Sequence, residues 1–223
     1  MNTNDMIDLL KTHIKNKDFD KTILLIKEHP EVLDSKDNQG SSGFMIIAYS
    51  GQQEVLKLAL TLMKTFTFYE AIVSGHLDNV QEYLDTPEFD LINTHSPDGF
   101  TPLALASFLN QHKIALLLLD HGADPNISAT NPSNVNALHA AVAQENYELC
   151  KIFLEKGAIV NATQTQQVTA LHSAVHRGNL KLVQLLITHG ASITNKMDNG
   201  DSALSIAEKE GQEEILEYLL KNQ

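Results

Sequence analysis

Ten histidines and a single cysteine are the side chains of this 223-residue sequence that first invite a chemical reading. His172 and His176 stand at i, i+4, a spacing that puts two imidazoles on one helix face and that a zinc ion can use. Zinc needs further ligands, and no acid or cysteine is fixed near this pair by sequence spacing. Cys150 lies in an apolar helical register beside Leu149 and one turn before Leu154, the setting of a buried and inert thiol. The sequence has no G-x-x-x-x-G-K-[ST] phosphate loop, no G-x-G-x-x-G after a strand, no G-x-S-x-G elbow and no C-x-x-C. We therefore expect a non-enzymatic chain with no catalytic residue, no metal and no cofactor. The alternative in that class is a small metal-binding or enzymatic protein using His172/His176.

Composition narrows the classes further. Apolar residues make up 43% and charged residues 20%, with a mean hydropathy of -0.16, values of a folded chain and not of a membrane or disordered one. Twenty-eight acids oppose 16 bases, a net charge of -12, and the isoelectric point is near 5.2. Arg177 is the only arginine. Phosphate backbones are normally bound by clustered Lys and Arg, so no nucleic acid partner is expected. The longest apolar runs, such as residues 114–119, fall far short of the ~20 residues that span a bilayer, and the N-terminus lacks the apolar run of a secretory signal. One cysteine makes no internal disulfide, and a reducing cytoplasm is the expected location. Asn126 and Asn161 open N-x-S/T triplets, which we read as chance occurrences and not as glycosylation sites.

The elements that must position any site are repeated. DGFTPLALASFLNQHKIALLLLDHGADPN is followed by NVNALHAAVAQENYELCKIFLEKGAIVN, then QVTALHSAVHRGNLKLVQLLITHGASIT, then NGDSALSIAEKEGQEEILEYLL, and two more degraded copies precede them. The turn between paired helices falls at Gly51, Gly75, Asn110, Glu145, Gly178 and Gly211, in steps of 24, 35, 35, 33 and 33. Thr101 suits a helix N-cap and Pro102 the first helical position. Leu103, Leu138, Leu171 and Leu204 should point inward, and the second helices carry i, i+3, i+4 apolar stripes such as Leu149, Ile152 and Phe153. Gly122, Gly157 and Gly190 follow the second helices where a left-handed C-cap is favoured. First helices of about eight residues are too short to persist alone, so stacking must stabilise them.

A period near 33 with the wording T-P-L-H-x-A resembles the ankyrin family over nearly the whole chain. The resemblance implies an all-α ankyrin-repeat solenoid of about six helix-turn-helix repeats with finger turns and polar terminal caps. One domain, 1-223, is expected: an N-terminal cap at 1-35, repeats at 36-64, 65-93, 94-129, 130-162 and 163-195, and a capping repeat at 196-223. It also implies that His139 and His172 are buried structural imidazoles bonding across the turn between repeats. Members of the family typically bind proteins through a concave groove formed by the fingers and the first helices. Carried over by register, that surface includes Tyr49, Val73, Phe108, Leu109, Gln144, His176, Arg177 and Lys209, with Phe100 from a finger. Along it the character runs from aromatic and apolar to cationic around His176 and Arg177.

Two departures mark the N-terminal half. Between Gly51 and Gly75 the short step removes a finger, and the second helix is expected to run through TLMKTFTF almost directly into the next first helix. The following link, DTPEFDLINTHSPDG, is longer than usual. From Thr65 to His112 there is no Lys or Arg, while Glu70, Asp78, Glu82, Asp85, Glu88, Asp90 and Asp98 supply seven of the net negative charges. The same window holds Phe66, Phe68, Tyr69, Tyr83, Phe89, Phe100 and Phe108; of these Phe68 and Tyr83 read as core. Asp98 and Glu88 therefore join the candidate surface, which would take a protein partner with a basic face. A monomer is expected, with a self-associating structural protein as the other alternative.

Overall fold

Every first helix after the N-terminal pair begins on a side-chain oxygen. Ser42, Thr67, Thr101, Asn136, Thr169 and Ser202 accept from the N–H groups of Met45, Glu70, Ala104, His139, His172 and Ser205, satisfying a donor that the first turn leaves without an intrahelical partner. A computed structural model of the chain describes residues 3–223 and holds 14 α-helices in seven antiparallel pairs. The fold class is all-α, as expected; residues 1 and 2 of the expected 1-35 cap lie outside the described residues. The chain divides into two compact units, residues 1–85 and 86–223. Among the described residues no helix is long and apolar enough to cross a membrane.

The first unit contains α1 (Thr3–Lys15) and α2 (Phe19–Glu28), α3 (Gly43–Tyr49) and α4 (Gln53–Leu62), and α5 (Phe68–Ser74) and α6 (Leu77–Leu84). Helices α1, α3 and α5 pack in succession, and α2 lies on α4. Leu10, Ile26, Val32, Phe44, Ile47, Val55, Phe68, Ile72 and Val80 form the core. Gly43 opens α3 where the backbone of Val32 closes in: a Cβ there would stand 2.1 Å from the Val32 carbonyl oxygen. Lys11 Nζ meets Asp37 Oδ2 at 2.5 Å. Burial alone would raise the Asp37 carboxyl, but Lys11 and the N–H groups of Ser41 and Gln39 together hold it below the usual carboxylate range.

Where a finger was expected to be missing, residues 63–67 indeed make a short link, but α4 does not run on into α5. It stops at Leu62, Met63 is extended, and Thr67 starts α5 with a full capping box. β-Branched and aromatic residues at 65–67 are weak helix formers, and the capping box competes for the same backbone. Aromatic side chains fill the gap. Phe66 stacks on His76 at 4.3 Å and meets Phe44 edge-on, while Phe68 sits edge-on to Tyr69 and Tyr83. The Tyr83 hydroxyl donates to the Phe66 carbonyl at 2.9 Å.

The second unit contains α7 (Pro102–Phe108) and α8 (His112–Asp120), α9 (Ala137–Ala143) and α10 (Tyr147–Glu155), α11 (Ala170–His176) and α12 (Leu180–Thr188), and α13 (Ala203–Lys209) and α14 (Glu213–Lys221). First helices α7, α9, α11 and α13 pack in sequence, with α10, α12 and α14 stacked behind them. Leu103, Leu138 and Leu171 are buried as expected; Leu204 is only half-buried. The fingers carry the unit's one strand pair, β1 (Thr163–Gln164) with β2 (Val168–Thr169). They are tied in a row: Thr130 N–H donates to Gly99 O at 2.9 Å, Thr165 N–H to Ser133 O at 3.1 Å, and Asp198 N–H to Gln166 O at 3.0 Å.

Candidate protein-binding surface

The last turn of each first helix and the adjoining finger place the candidate side chains. In the second unit Phe108 ends α7 and is 50% exposed, a cost in water for a ring that a partner would relieve. Phe100, half-buried on its finger, stands beside it. Together with Val135, Ala140, Ala143 and Arg177 they line a hollow of about 310 Å³. A second hollow of about 330 Å³ is lined by Val168, Met197, Ile206, Asp201 and Glu210. Ser173 and His176 of α11 line both. Leu109 is half-buried, and Gln144 and Lys209 are exposed, outside the two linings.

The expected cationic stretch is corrected by its partners. His176 Nδ1 lies 2.6 Å from Glu210 Oε1, and Arg177 Nη1 lies 3.8 Å from Glu145 Oε1. Glu145 also accepts from Asn179 at 2.8 Å, and Glu210 from Gln212 at 2.9 Å. Lys209 pairs with Asp201 at 2.5 Å, and this hydrogen bond holds the Asp201 carboxyl below its ordinary range. Charges alternate along this face instead of accumulating one sign, because His176 and Arg177 meet carboxylates from the neighbouring repeats and Lys209 meets one within its own.

Three other candidates sit differently from their expected places. Val73 is 5% exposed, so the position equivalent to Tyr49 offers no surface on α5; Tyr49 itself is exposed at the end of α3. Asp98 is half-buried in its finger turn, where it accepts from the Ser96 hydroxyl. Glu88 is exposed in the long link and lines neither hollow. Of the seven acids between 65 and 112, Glu70 is buried. Its carboxylate accepts from Thr67 N–H at 2.9 Å and from the Ser42 hydroxyl at 2.5 Å. Among the aromatics of that window only Phe108 is exposed.

A protein-family model for ankyrin repeats, in three copies, matches residues 8–129, 68–164 and 138–223. The chain belongs to the ankyrin-repeat family. Ankyrin repeats are in general protein–protein interaction modules, and two histidines of these repeats serve the stacking itself. His139 Nδ1 accepts from Asn136 N–H at 3.3 Å and its Nε2–H donates to Ala162 O at 3.0 Å; His172 does the same with Thr169 N–H at 3.1 Å and Asn195 O at 3.0 Å. Burial holds the His139 imidazole down to about 4, and burial also lowers that of His172. Both nitrogens of neutral His172 are committed, so it has no lone pair for a metal in this geometry. Among the described residues no group of three His, Cys, Asp or Glu is placed to hold one. Cys150 is buried in α10, and burial raises its thiol to about 12.

Both triplet asparagines, Asn126 and Asn161, share with Asn93 a structural part in the ankyrin array that sequence reasoning missed. Asn93, Asn126 and Asn161 donate to Gly122 O, Gly157 O and Gly190 O at 3.0–3.2 Å and accept from Asp124, Ile159 and Ser192 N–H at 2.8 Å. Each pins the turn that ends the next second helix. Their recurrence 29 to 31 residues before those glycines was the available signal.

Proposed function

We propose that this chain is a non-enzymatic adaptor that holds a protein partner against the groove of its ankyrin repeats, with the fingers forming one edge. The observation that carries this is the exposed Phe108 beside Phe100 at the mouth of an open, largely apolar hollow, since exposed aromatic anchors in pockets are where binding energy concentrates. Tyr49 is the corresponding anchor of the first unit. The chain works as a cytoplasmic monomer with no cofactor.

Affinity capture with the full chain tests it. Tyr49→Ala, Phe108→Ala and His176→Ala together should abolish recovery of a partner that the unaltered chain retains, with the helical circular dichroism unchanged. Equal recovery by the triple variant would place the partner elsewhere. Light scattering on the purified chain checks the oligomeric state, and a monomer is the expected result.

A further inference from the structure

Two hollows share one wall in the second unit, and their linings differ in charge. The lining of the first holds Phe100, Phe108 and Val135 and no carboxylate. Arg177 at its edge is answered by Glu145. The lining of the second holds the carboxylates of Asp201 and Glu210, three apolar side chains, and no lysine or arginine. A carboxylate has about four acceptor sites. Glu210 uses one on His176 and one on Gln212, and Asp201 Oδ2 meets only Asn199, at 3.0 Å, while its Oδ1 takes Lys209 and Ser205. Both acids therefore retain acceptor capacity beside an apolar wall of Val168, Met197 and Ile206. That is the lining suited to a long cationic side chain, whose methylene stem packs on apolar surface while its head meets carboxylates.

We infer that the second unit is a two-pocket site for an extended peptide segment of the partner, taking a large apolar side chain between Phe100 and Phe108 and a Lys or Arg side chain beside Asp201 and Glu210. The inference rests on the groove being the partner site. His176, on the shared wall, separates the two side chains and fixes their spacing along the peptide. Burying a ring or branched chain in the first pocket supplies affinity, and the second pocket supplies discrimination, because an acidic residue there would face two carboxylates.

The probe is a phage-displayed library of random linear peptides, selected against the full chain and then remade as labelled synthetic peptides for fluorescence anisotropy. Enriched sequences should combine a large apolar residue with Lys or Arg at one constant separation. Phe108→Glu should weaken them by about tenfold or more. Asp201→Asn with Glu210→Gln should weaken them by roughly three- to tenfold and remove the preference for a basic over a neutral residue, whereas Glu145→Gln should leave that preference intact. Circular dichroism confirms that each variant is folded. Enrichment of acidic residues, a pool indifferent to Asp201 and Glu210, or no enriched pool would each overturn the two-pocket site. If the Phe108-containing triple variant nevertheless loses the captured partner, the groove as partner site stands and only its peptide chemistry fails.

Discussion

Glu145 adopts φ 54° where other repeats place Gly51, Gly75, Gly178 and Gly211 at 67–79°. A left-handed backbone costs a non-glycine residue roughly 1–2 kcal/mol, and the carboxylate's contacts with Arg177 and Asn179 are exposed ones, which return about 0.2–1 kcal/mol. Strain therefore outweighs the contacts. Glu145→Gly is expected to raise the unfolding free energy by ~1 kcal/mol in urea titration while freeing Arg177 and altering partner affinity. A loss of stability would show that the carboxylate contacts are worth more than their exposure indicates. Turn positions were legible in the sequence because this backbone conformation selects Gly and Asn so strongly. The exposure of individual side chains was not: register sets the face a residue takes, but burial depends on what neighbouring repeats bring to it, as Val73 shows.

Helix α5 is held by a different device from α9 and α11. At the third helical position those two carry His139 and His172, each reaching forward to the next finger, whereas α5 carries Glu70, which reaches back to Ser42 at the cap of α3. Residues 63–67 form no finger between α4 and α5, and the Glu70 tie spans that short link to the cap of α3. Glu70→Ala removes a cap interaction and leaves the buried Ser42 hydroxyl without its acceptor, for an expected loss of about 1–3 kcal/mol in chemical denaturation. Glu70→Gln should recover part of it, and a neutral alanine variant would mean that the Phe44, Phe66 and Phe68 cluster alone seats α5. The T-x-x-E pattern of Thr67 to Glu70 is a sequence-level cap signal. It was obscured because Glu70 was counted with the surface acids. The aromatic cluster was beyond sequence reading, since it joins Phe44 of α3 to Phe66 in the short link and His76 in the turn before α6.

Across the molecule the negative balance is shared: residues 1–85 hold 13 acids and 8 bases, residues 86–223 hold 15 and 8. The window 65–112 straddles that division and carries seven acids with no Lys or Arg; of these seven only Glu70 is buried. Acid titration has a clearer source. His139 is held at about 4 against an ordinary 6.5, so the unfolded chain takes up a proton that the folded one refuses. Stability from this group is complete above pH 6.5 and declines as pH falls towards 4, by roughly 3 kcal/mol in all; His172 acts in the same direction. Urea midpoints between pH 7 and pH 5 should fall for the native sequence and fall less for His139→Gln. Matching slopes would locate the pH dependence in other groups. The sealed thiol of Cys150 has a practical corollary for all of these experiments. With no tryptophan in the sequence and its one native thiol withheld from reagents, the protein gives a dark background to thiol labels and tryptophan emission, and a cysteine or tryptophan introduced beside Phe108 would report from that single point as a partner arrives.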